Sequence, residues 1–88
     1  MYRSRTERVA MILDAANGGA AKTKIINKAF LGYTQLREYL SILLENNLLY
    51  SDGTQTYKTT EKGLYFLKIQ NEIGELLQTT TINNNYNN

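Results

Sequence analysis

The chain has 88 residues, with ten Lys or Arg against eight Asp or Glu, and it has neither cysteine nor histidine. That composition excludes disulfides and thiolate or imidazole metal sites, and it removes the commonest general base. A chain of this length is one small domain whose core buries only about 60–65% of its unfolded surface, so oligomerisation would help it.

No apolar stretch approaches the roughly 20 residues that span a bilayer. The N-terminal MYRSRTERVA carries charge but no apolar core of a signal peptide. The expectation is a soluble protein of the cytoplasm or nucleoid. Net charge is only +2, but it is unevenly spread. Residues 1–40 hold seven cations and three carboxylates, a balance of +4, and residues 41–88 hold three against five, a balance of −2. The basic half is where phosphates would sit if the partner is a nucleic acid.

The first helix is expected from near Ser4 to Ala16, with Val9, Ile12, Leu13 and Ala16 on one buried face. Asn17-Gly18-Gly19 ends it, because glycine accepts a left-handed cap. A second helix follows over about Lys22–Phe30, burying Ile25, Ile26 and Ala29 and leaving Lys22, Lys24 and Lys28 outside. Phe30-Leu31-Gly32-Tyr33 makes a turn, with Gly32 or Thr34 as the next cap. A third helix, about 34–46, carries an inner stripe of Leu36, Leu40, Leu43 and Leu44, with Tyr39 at its edge.

Leu48-Leu49-Tyr50 and Thr56-Tyr57-Lys58-Thr59 read as two strands around an Asp52-Gly53 turn. A last helix starts near Thr60 and runs to about residue 78. Leu64 and Leu67 are expected to face the domain. Phe66, Ile69, Ile73 and Leu76 form a heptad-spaced seam with Leu77 beside it, and a second copy of the helix is the simplest cover for that seam. The Asn-rich segment 79–88 is polar and of low complexity, and it reads as a disordered tail. The fold class is therefore mainly α with a two-stranded β-hairpin wing. Residues 1–78 form a winged helix-turn-helix domain ending in an extended dimerisation helix, about 60–78.

Catalytic chemistry finds no footing. Gly18-Gly19-Ala20-Ala21-Lys22-Thr23 lacks the glycine before its lysine and follows a helix rather than a strand, so it is not a phosphate-binding loop. Carboxylates stand singly, and no serine has a histidine to activate it. No enzyme activity, cofactor or metal is expected. The tyrosines at 33, 39, 50, 57 and 65 fall at amphipathic positions and read as the rim of the core, with wet hydroxyls.

The segment Lys22–Leu67 resembles the archaeal winged helix-turn-helix family of small DNA-binding proteins and transcription regulators, some of which dimerise through a long C-terminal helix. The resemblance is carried by Lys22-Thr23, by Tyr33-x-Gln35-Leu36-x-x-Tyr39-Leu40 and by Thr60-Glu61-Lys62-Gly63. Where the family often has serine this chain has Gly32, and near Gln70 it lacks a common aromatic. The resemblance implies that Thr34, Gln35, Arg37, Glu38 and Ser41 face a DNA groove, with Arg37 suited to guanine and Gln35 to adenine or a phosphate. It also implies backbone contacts from Lys22, Thr23, Lys24, Lys28 and Lys58, from Thr54 and Gln55 on the wing, and from Arg3 and Arg5. It places a homodimer interface at Phe66, Ile69, Ile73, Leu76 and Leu77.

The resulting expectation is a homodimeric regulator bound to double-stranded DNA. Two alternatives stand beside it. An architectural protein with little sequence preference would bind mainly through phosphate neutralisation, which the low net charge and Glu38 disfavour. A winged-helix module for protein–protein assembly would bind no duplex at all.

Overall fold

The computed structural model describes the backbone of residues 4–86 and the side chains of residues 4–77. Helix α1, Arg5–Ala15, begins on a reciprocal cap. Ser4 Oγ accepts from the Glu7 amide at 3.1 Å, and Glu7 Oε1 accepts from the Ser4 amide at 2.8 Å. Its buried face is Ile12, Leu13 and Ala15, continued by Ala16, with Val9 and Met11 half-buried. Gly18 and Gly19 turn the chain with φ of 87° and 113°, values that an L side chain rarely adopts.

The turn leads directly into a two-residue strand β1, Ala20–Ala21, and then into helix α2, Lys22–Ala29. Ile25 and Ala29 are buried there, and Lys22, Lys24 and Lys28 are exposed. Helix α3, Tyr33–Glu45, starts at Gly32, whose amide reaches Gln35 Oε1 at 3.4 Å, half of a capping box. It buries Leu36, Leu40 and Leu43. Its end is a Schellman cap: Asn47 has φ 60°, its amide donates to the Leu44 carbonyl, and the Leu48 amide donates to the Leu43 carbonyl at 2.9 Å.

Strands β2, Leu49–Ser51, and β3, Thr56–Thr59, form the expected hairpin with Leu49 opposite Thr59 and Ser51 opposite Tyr57. The sheet has a third member. Strand β1 pairs antiparallel with β3, Ala20 opposite Tyr57, giving the order β1-β3-β2. Two alanines carry no strand signal of their own. Their pairing follows from the free edge of β3, which satisfies its backbone groups on both sides. Thr59 then ties this sheet to the end of α1, its amide donating to the Ala16 carbonyl, which also accepts from Gly19, and its hydroxyl donating to the Leu13 carbonyl.

Helix α4 spans Glu61–Tyr86, 26 residues, and so continues through most of the segment read as a tail. Thr60 caps it, Thr60 Oγ1 accepting from the Gly63 amide at 3.0 Å. The stripe that meets the domain is Gly63, Phe66, Leu67 and Gln70, all buried or half-buried. This corrects the expectation for Leu64, which is 42% exposed, and for Phe66, which packs against the core instead of standing clear of it. The rotation is set at Gly63, which lies against Leu48. Positions three, four and seven residues later follow it inward, and Leu64 is carried about 100° away. A helix of this length extends about 39 Å, and the molecule measures 54 × 27 × 19 Å.

Candidate nucleic-acid interface

The outer face of α3 is the complement of its leucine stripe. With Leu36, Leu40 and Leu43 committed to the core, the 3.6-residue period turns Thr34, Gln35, Arg37, Glu38 and Ser41 outward, and all five are exposed. The set holds a bidentate donor in Arg37, an amide in Gln35, two hydroxyls and one carboxylate. That is a face with donors and acceptors in a fixed order.

Both flanks of this face carry cations. On one side a cleft of about 380 Å³ is lined by Ala21, Lys22, Thr23, Tyr33, Gln55 and Tyr57, so the start of α2, the start of α3 and the wing converge there. Lys22 and Tyr33 also line a smaller crevice with Leu36, Arg37 and Leu40. On the other side the Arg5 guanidinium carbon lies 6.0 Å from the centre of the Tyr39 ring, a cation–π contact. Arg5, Gln35, Glu38, Tyr39 and Ile42 line a cleft there of about 190 Å³. Arg5 is thus held against α3, and Arg3 lies outside the described residues.

Lys24 and Lys28 are exposed on α2, and Lys58 is exposed on β3. At the wing tip Asp52 Oδ1 accepts from the Thr54 amide at 2.9 Å and from its hydroxyl. Those bonds, the hydroxyl's first and then the amide's, hold the Asp52 carboxyl below its ordinary value of 3.8, with Lys58 adding to the effect. The Thr54 hydroxyl is therefore engaged in shaping the turn, while the neighbouring Gln55 reaches the cleft beside Tyr33.

Three of the five tyrosines that the sequence reads as the rim of the core stand clear of it. Tyr33 is 61% exposed, Tyr50 55% and Tyr65 63%, more than the rim of a core, whereas Tyr39 and Tyr57 do pack against it. For Tyr33 a signal was available: it is the first residue of α3, one turn ahead of Arg37. Phe30, 74% exposed in the turn before α3, had no such signal.

The winged helix-turn-helix family profile matches residues 2–78. The chain belongs to that family. Within it, α2 and α3 are the helix-turn-helix pair and the β2–β3 hairpin is the wing. The same fold is found in the crystal structure of Sso10a-2, a DNA-binding protein from Sulfolobus solfataricus, with a TM-score of 0.79 over 94% of this chain and 90% of that one, at 21% identity. A comparison with curated protein sequences finds no match. Among the described residues of this winged helix-turn-helix chain, no helix is long and apolar enough to cross a membrane.

Proposed function

We propose that this protein binds double-stranded DNA as a homodimer and acts as a transcription regulator. In this reading α3 lies in the major groove, and phosphates are held by Arg5, Lys22, Lys24, Lys28, Lys58 and the wing. The observation that carries the reading is the exposed polar face of α3, Thr34 to Ser41, flanked by Arg5 on one side and Lys22 on the other. Recognition helices of this class read base edges from such a face while neighbouring cations fix the register on phosphates. Membership of the winged helix-turn-helix family and the DNA-binding title of the Sulfolobus protein support it. Glu38 amid these groups repels phosphate, which favours selective over indiscriminate binding.

The dimer rests on α4. Ile69 is 37% exposed and Ile73 49%, and with Phe66 and Tyr65 they line an apolar groove of about 260 Å³ against Leu48 and Thr6. Exposed apolar surface of this kind supports an association site on α4. A rigid dimer would then engage half-sites about one helical turn apart.

The test is a titration of genomic duplex fragments, including the region upstream of its own gene, at two salt concentrations, with mass measured by light scattering. Tight binding to one fragment by a species of twice the chain mass supports the reading. Equal, strongly salt-dependent binding to every fragment supports an architectural protein. No binding to any duplex leaves the fold as a protein-assembly module.

A further inference from the structure

Among the described residues, two that are neither glycine nor asparagine hold left-handed backbone: Phe30 with φ 55° and Gln55 with φ 68°. Such a conformation crowds Cβ against the following carbonyl, a strain that glycine does not feel. Strained residues of this kind cluster at functional surfaces. Both stand next to Tyr33, the first residue of α3. Gln55 shares a cleft with it, and Phe30 precedes it by three residues. Three residues span at most about 10 Å, so the Phe30 backbone lies within that distance of the start of α3.

The left-handed backbone of Phe30 closes α2, its amide and that of Leu31 donating to the Ile26 carbonyl, but this cap makes no use of the ring, which is 74% exposed. Its surroundings favour one kind of partner. From Ala15 to Arg37 the chain carries Lys22, Lys24, Lys28 and Arg37 and no carboxylate. A strongly anionic surface fits that segment, and an apolar ring set among cations fits duplex DNA, whose groove edge offers deoxyribose carbons and thymine methyl groups between phosphates.

We infer that Phe30 is a DNA-contact residue that packs against sugar and thymine-methyl surface at the edge of the major groove, beside phosphates bound by Lys24 and Lys28. The inference rests on the DNA-binding reading above and adds to it a non-ionic contact.

The experiment uses the full chain and the duplex fragment it binds best. It compares wild type, Phe30→Gly, Phe30→Asn and Phe30→Tyr by affinity at several salt concentrations and by thermal unfolding at fixed protein concentration. Phe30→Gly and Phe30→Asn should weaken binding by about 5- to 30-fold through lost apolar contact. The slope of log affinity against log salt should stay unchanged, because no cation is removed. Their Tm should equal or exceed that of wild type, because glycine and asparagine accept the left-handed conformation. Phe30→Tyr should bind within about two-fold of wild type, since the ring is kept. Glycine and asparagine variants that bind like wild type overturn the contact role. So does a marked fall in their Tm, which would make the ring a brace of the turn. Wild type that binds no duplex overturns the DNA reading itself and this inference with it, and that failure is recognisable because the parent protein shows it.

Discussion

Gly63 and Leu48 meet so closely that a Cβ built on Gly63 would stand 2.4 Å from the Leu48 carbonyl oxygen and 2.6 Å from Thr59 Cγ2. This contact seats the base of α4 on the loop that leaves α3, and three hydrogen bonds surround it. The Thr60 hydroxyl donates to the Asn47 carbonyl at 2.6 Å, the Lys62 ammonium to the Asn46 carbonyl at 2.8 Å, and the Thr60 amide to the Leu48 carbonyl at 3.1 Å. The orientation of α4 relative to α3 is thereby fixed by backbone groups at the end of α3. In a dimer built on α4, that junction would set the spacing of the two α3 helices.

Gly63→Ala should therefore be severely destabilising, although alanine is the better helix former. The new methyl meets backbone, which cannot rotate away, and overpacking of this kind costs about 1–3 kcal/mol or more. For a domain of this size that corresponds to a fall in Tm of about 8–16 °C at 2 kcal/mol. Thermal unfolding followed by circular dichroism measures it, and a change of less than about 2 °C would show that α4 does not dock at Leu48.

Ile73→Glu tests the proposed association surface. Ile73 is 49% exposed and borders the apolar groove of α4, so the monomer should tolerate the charge. Buried in a subunit contact, the same carboxylate would be unpaired, a cost of about 2–3 kcal/mol or more with the lost apolar area, which weakens the dimer by roughly 100-fold. Light scattering at micromolar concentration should then report the chain mass of 10.1 kDa rather than twice that value. An unchanged mass ratio between wild type and variant would remove this face from the interface.

Asp52 gives a pH-dependent prediction at the wing. Its carboxyl is held below 3.8 in the folded chain by the Thr54 hydroxyl first and the Thr54 amide next. A depressed folded value means that the contribution to stability is present above the unfolded value and is lost as pH falls through the folded one. The wing tip should thus loosen only in acid below the ordinary carboxylate range. A carboxyl-carbon NMR titration of Thr54→Val should move the Asp52 value back toward 3.8, and Lys58→Ala should move it less, because the lysine is the weaker influence. The reverse order would mean that charge, not the turn's hydrogen bonds, shapes this carboxyl.

Helix α3 and its two faces were legible in the sequence because the leucine period assigns Leu36, Leu40 and Leu43 inward and leaves Thr34, Arg37 and Ser41 no other side. The Asn17-Gly18-Gly19 stop, the hairpin and the Thr60 start were legible for the same local reason. What escaped depends on contacts distant in sequence. Strand β1 exists because Ala20 and Ala21 lie beside Tyr57 and Thr56, and two alanines announce nothing. The rotation of α4 is decided by Leu48 against Gly63, so the apolar pattern alone misassigned Leu64. Arg5 is brought beside the outer face of α3 by its contact with Tyr39, 34 residues away. Phe30 drew no attention because a turn residue has no period to betray which way it points.

Arg37 and Lys24 separate the two kinds of contact the proposed interface contains. Arg37 stands on the outer face of α3 and shares a crevice with Lys22 and Tyr33, whereas Lys24 is exposed on α2. A guanidinium in the groove pairs bidentately with guanine, so Arg37→Ala should cost about 1–3 kcal/mol of discrimination at one base pair and leave other positions unchanged. An ammonium on a phosphate carries no sequence information, so Lys24→Ala should weaken every duplex alike and lower the salt slope by about one. A panel of single-base-pair variants of the best-bound fragment, titrated with each protein, gives both readouts together. Uniform weakening by Arg37→Ala, with a reduced salt slope, would move Arg37 from the bases to the backbone and shift the balance toward an architectural protein.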